Sequence, residues 1–128
     1  MLVRSGTFAM PGMKSGVWRD TAGIYTYSAD GKPGALRFQL PGNEGLVQAT
    51  PQSVMVTRYA FGRETGVIVA GDKVYAGTCD SFELRAYDLG GKLERIVRRH
   101  HVPVPVTQSD ISASLPSRWR SLARVRSR

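Results

Sequence analysis

Chemistry would have to begin at very few positions. His100 and His101 are the only histidines and Cys79 the only cysteine among 128 residues. A thiol nucleophile needs a base beside it, and nothing local in the sequence places either histidine there. A lone cysteine closes no internal disulfide and no metal cluster. Cys79 is therefore expected to be a small apolar filler at a strand end. Asp30, Asp72, Asp80 and Asp88 could offer oxygens to a hard cation, but none follows the D-x-[DN]-x-[DN]-G spacing. All four sit at turn signals, where Asp bonds nearby backbone instead. No catalytic, cofactor-binding or metal-binding residue emerges, and the chain is expected not to be an enzyme.

The charged side chains offer binding rather than catalysis. Glu83 and Arg85 lie two apart on one strand face, with Arg58 and Arg95 as possible cross-strand partners. An ion pair at a surface contributes only ~0.2–1 kcal/mol, so the same residues could equally be a solvated rim. Arg95, Arg98 and Arg99, with His100 and His101, form a basic cluster that could meet a ligand or partner. Neighbouring arginines on opposite faces of a strand, however, do not focus on one ligand. Arg118, Trp119, Arg120, Arg124 and Arg126 belong to a terminal segment that could form a short basic helix and touch nucleic acid or anionic lipid.

The net charge of +8 divides unevenly. Residues 1–94 carry ten Lys or Arg against nine Asp or Glu, and residues 95–128 carry eight Arg against Asp110 alone. The basicity is that of a C-terminal tail, not of the body, which weighs against a nucleic-acid-binding fold. Apolar residues make up 41% of the chain, enough for a core. No apolar run approaches the ~20 residues of a membrane span, and the N-terminal residues do not read as a secretory signal.

The elements that must position these groups are strands. Residues 1–16 show no period, apart from one short strand expected near 7–10. Residues 23–27, G-I-Y-T-Y, are rich in aromatic and β-branched side chains. Asp30-Gly31 and Pro33-Gly34 signal a turn. Residues 35–40 read as the returning strand, ended by Pro41-Gly42, with a further short strand at 45–49 and another at 53–61. Val67-Ile68-Val69-Ala70 is a continuous apolar run, as expected of a strand buried on both faces. Gly71-Asp72 marks a tight hairpin, 73–78 a second strand, 82–87 a third, Asp88 to Gly91 a turn, and 92–99 a fourth. That is a four-stranded antiparallel meander. The five tyrosines, Tyr25, Tyr27, Tyr59, Tyr75 and Tyr87, are expected to pack between sheets more than to stack on ligands. V-P-V-P-V at 102–106 reads as an extended arm, and a helix is expected near 110–115, capped by Thr107, Ser109 or Asp110.

An internal repeat links the two halves. Ile24, Tyr27, Gly31 and Lys32 match Leu84, Tyr87, Gly91 and Lys92 at an offset of 60 residues. This spacing is expected from the third strand, outer turn and fourth strand of two successive units, with residues 43–51 inserted. The pattern of a buried strand, G-D-K-V-Y, F-E-L-R-A-Y-D and G-K-L with a basic returning strand resembles blades of bacterial six-bladed β-propeller proteins of the NHL-repeat kind. A-F-G-R-E-T at 60–65 resembles the link into such a blade.

The resemblance implies an all-β partial propeller of about two blades with a basic C-terminal tail: an N-terminal segment at 1–16, a first blade at 17–61, a second blade with its Pro-rich arm at 62–106, and the tail at 107–128. Six blades need roughly 250–300 residues. The chain is accordingly expected to be a piece of a larger propeller, a unit that closes a ring with other copies, or two units packed in some other sheet arrangement. The function it implies is a non-enzymatic binding or scaffold module without cofactors. It would meet a protein partner or itself through blade edges, in a setting that would be periplasmic or at the cell surface if a leader is missing. The alternative is nucleic-acid or anionic-surface binding through the Arg-rich end.

Overall fold

The computed structural model describes the backbone of residues 2–5 and the whole of residues 12–58 and 60–114. The strand expected near 7–10 and the basic tail with Arg118, Trp119, Arg120, Arg124 and Arg126 lie outside the described residues. The fold is mostly β, in two antiparallel sheets. In the first, β2 (Gly16–Tyr27), β3 (Pro33–Ala49) and β4 (Val54–Thr57) pair in order, and β1 (Leu2–Ser5) adds along β2. The second is a meander of β5 (Gly66–Ala70), β6 (Lys73–Gly77), β7 (Glu83–Asp88) and β8 (Leu93–Arg98). A short helix, α1 (Gln108–Ser114), follows. Thr107 is its cap: Asp110 donates its backbone N–H to Thr107 Oγ1, and the Asp110 carboxylate accepts the Thr107 N–H at 2.8 Å.

Pro41-Gly42 does not end a strand. β3 runs through it for 17 residues, and the pieces expected at 35–40 and 45–49 are one element. The register shifts between Arg19 and Thr21, so Asp20 lies opposite the extra residues of β3. The Asp20 carboxylate accepts the Asn43 N–H at 2.5 Å. A Cβ at Gly42 would overlap that carboxylate, so the bulge requires glycine there. Residues 43–51 are thus no insertion, since most of them pair with β2 and β4. β4 is shorter than the strand expected at 53–61.

The second sheet follows its turn signals closely. Ala70 pairs with Lys73 across a two-residue turn in which Gly71 takes a φ of 61°. One expectation fails here. β5 is not buried on both faces: Ile68 is 62% and Val69 49% exposed. β5 lies at the sheet edge with β6 as its one strand neighbour among the described residues, which leaves both the outward Ile68 and Val69, opposite the inward Val74, exposed there.

The repeat is real in the backbone. Gly31 N–H bonds Ser28 O and Ser28 N–H bonds Lys32 O; Gly91 N–H bonds Asp88 O and Asp88 N–H bonds Lys92 O. Both glycines have positive φ, 81° and 93°. The hairpins occupy different places, however. β7–β8 joins the third and fourth strands of its sheet, whereas β2–β3 is the central hairpin of the first.

The two sheets pack face to face. Leu40 of β3 meets Val74, Ala76 and Tyr87, all buried, with Phe38 and Val67 packed against them. Alternation along β6 and β7 sends Val74, Ala76 and Tyr87 inward and Tyr75 and Leu84 outward. The link between the sheets is strapped to the bulge of β3. Glu44 donates its N–H to Arg63 O at 2.8 Å, and Thr65, 4% exposed, donates its N–H to Asn43 Oδ1 and its hydroxyl to Pro41 O.

Candidate functional site

The second sheet has an outward face with apolar side chains from every strand. Ile68 pairs with Tyr75 across β5 and β6, and Leu84 with Val97 across β7 and β8. Ile68, Leu84 and Val97 are 62, 44 and 54% exposed. Gly66 and Gly77 pair at one end of this face, and their missing side chains deepen it. The resulting hollow has a volume of about 670 Å³. Beyond Tyr75, Leu84 and Val97 it continues toward Lys73, Glu94 and Arg95 as a second depression of about 460 Å³. Phe82, Cys79 and Arg99 border the first hollow. The Arg99 guanidinium stands 5.8 Å from the Phe82 ring centre, with His101 on the same ring at 6.0 Å.

The charged residues read from the sequence fall into separate groups. Glu83 is held by Arg98 Nε and Arg85 Nε, each at 2.5 Å. These two guanidinium groups, Arg98 first, hold the Glu83 carboxyl below the usual carboxylate range. The cross-strand partner is therefore Arg98, directly opposite Glu83 in register, and not Arg58 or Arg95. Arg58 pairs with Glu64 at 3.4 Å. It lines a different, polar pocket of about 220 Å³ with Trp18, Asp20 and Thr57. Arg95 lies opposite Ala86, on the outward face.

Cys79 is not a filler. It is exposed, with a φ of 58°. The cause lies in the first sheet. Arg19 of β2 donates Nη2 to Thr78 O and Nη1 to Asp80 Oδ1, both at 2.5 Å, and Nε to Gly42 O at 3.0 Å. Holding the residues on both sides of Cys79 to one guanidinium turns the intervening backbone left-handed and the thiol outward. Arg63 adds a second cation to Asp80 at 3.3 Å. Arg19 foremost holds the Asp80 carboxyl below its ordinary range. Asp80 is thus an inter-sheet clamp, whereas Asp88 behaves as a turn residue and accepts the Lys92 N–H at 2.8 Å.

Two apolar faces are expected of this sheet from its sequence, but both are expected to be covered, and the exposure of the outward one is the difference. Its signal was present in the alternation of Phe82, Leu84 and Ala86, but the run at 67–70 read as interior. Among the described residues, no group of three or more His, Cys, Asp or Glu could hold a metal ion. No helix among them is long and apolar enough to cross a membrane. Comparisons with family models, curated proteins and solved structures find no match.

Proposed function

We propose that the chain is a non-enzymatic binding or scaffold module of β-propeller type, and that its partner docks on the outward face of the second sheet. The observation that carries this reading is the asymmetry of that sheet. The middle of its inner face is covered by Leu40 and Phe38, while Ile68, Leu84 and Val97 beside Tyr75 on the outer face remain exposed. Exposed apolar surface rimmed by polar residues often marks an interaction site. Two antiparallel four-stranded sheets, packed through Leu40, Phe38, Val74 and Tyr87, support the propeller-type description.

The carboxylates support a non-enzymatic role. Each of the ten acidic side chains meets a cation or a backbone N–H. A general acid or base needs a group poised to exchange its proton near neutral pH, and Asp80 and Glu83 are pushed the other way.

Nile red, an uncharged dye that brightens on apolar surfaces, tests the face directly. At dilutions that keep copies apart, the protein is expected to bind it, and Ile68→Lys to abolish binding while the fold is retained. Equal dye binding by the folded Ile68→Lys variant would refute this reading.

A further inference from the structure

The C-terminal arm is as exposed as the groove. After Arg99, whose N–H makes the last bond to Phe82 O at 3.0 Å, residues 100–107 form no regular structure. Val102, Val104 and Val106 are 70, 82 and 49% exposed. The helix that follows has no buried residue, and its Ile111 is 41% exposed. Among the described residues, nothing covers the apolar groove or the apolar arm that starts at its rim.

We infer that the V-P-V-P-V arm of one copy lies in the Ile68–Tyr75–Leu84–Val97 groove of a second copy, reciprocally, in a two-fold dimer. This rests on the reading of that face as a docking surface, and names its occupant. The dimensions agree. Four strands span about 14 Å at their usual spacing, and five residues of extended, polyproline-like chain span about 12–15 Å. The chemistry agrees as well. The groove is a sheet face rather than a sheet edge, so it requires no ladder hydrogen bonds, and prolines without N–H groups suit it.

In the molecule itself the arm lies outside the groove: Val102 and Val104 are 70 and 82% exposed. Pro103 and Pro105 fix their own φ and hold Val102 and Val104 extended, so the arm projects as a stiff segment from the groove's rim. Reciprocal exchange through one self-complementary contact closes as a dimer.

Sedimentation of the full chain over a wide concentration range tests this. The expected species has twice the 14.0 kDa mass of one chain. Val102→Asp with Val104→Asp should give monomers, since both positions are solvent-exposed and their change leaves the sheets intact. Val97→Lys in the groove should do the same. Mixing the two variants should restore a weaker dimer, because one intact arm then meets one intact groove. A wild-type monomer throughout, a mass other than a dimer's, or a dimer that survives the arm substitutions would overturn the inference. If the arm variant still binds Nile red, such a failure concerns the arm alone. If Ile68→Lys binds it equally, the docking face itself is refuted.

Discussion

The ring of Phe38 lies flat on the ring of Tyr87, centroids 4.0 Å apart and planes within 11°. One belongs to β3 and the other to β7, so this stack joins the two sheets. Phe38→Ala removes it and opens a gap beside Leu40 and Val74. The expected loss is about 2–3 kcal/mol of unfolding free energy in urea titration. A loss below about 0.5 kcal/mol, the usual range of an inconsequential surface change, would show that the sheets do not depend on this contact.

The repeated turn offers an internal control. Gly31 and Gly91 both require positive φ, but a side chain at Gly31 meets open space, whereas a Cβ at Gly91 would stand 2.6 Å from the Arg37 carbonyl oxygen. Gly31→Ala is expected to cost about 1 kcal/mol, the backbone penalty alone. Gly91→Ala should cost clearly more, because β3 must also move away. Equal losses in thermal unfolding would contradict the close approach of the second turn to the first sheet.

Thr65 is the polar pin of the link. Replacement by Val keeps the shape and removes the hydroxyl bond to Pro41 O, for an expected loss of about 1–2 kcal/mol. Thr65→Ser should retain most of the stability, since the hydroxyl survives. If Thr65→Val loses nothing and Thr65→Ser carries the loss, the methyl group and not the hydrogen bond holds the link.

Acid should release the clamp. Asp80 and Glu83 titrate below their ordinary range in the folded chain, Asp80 chiefly because of Arg19 and Glu83 because of Arg98 and then Arg85. Depressed folded-state values mean that this stabilisation is complete above the unfolded-state value near about pH 4 and is lost as the pH falls below it. Stability measured against pH should therefore drop through that window. Asp80→Asn should flatten the drop, by no more than about 1 kcal/mol given the partly exposed pair. An acid limb unaltered in that variant would remove Asp80 from the account.

The meander of the second sheet was legible because its turns are written in glycine. Gly71 and Gly91 adopt the conformations that only glycine takes freely. The passage of β3 through Pro41-Gly42 was not legible, because Asp20, on the neighbouring strand, decides it. The exposure of Val69 was not legible either: an apolar run does not say how many neighbours a strand will have. The pairing of Glu83 with Arg98 follows from the register of β7 and β8, which alternation along one strand cannot supply. The outward conformation of Cys79 depends on Arg19, 60 positions earlier in the chain, and no local pattern contains it.

The edge position of β5 carries a consequence for the protein in solution. Its five residues, G-V-I-V-A, are uncharged, and among the described residues they end the sheet, with backbone groups that another strand could pair. Charge elsewhere, +8 over the whole chain, is then what keeps approaching molecules apart. Salt shortens the reach of that repulsion. Colloidal stability should accordingly decline as ionic strength rises, and a single lysine in place of Val69 should restore it.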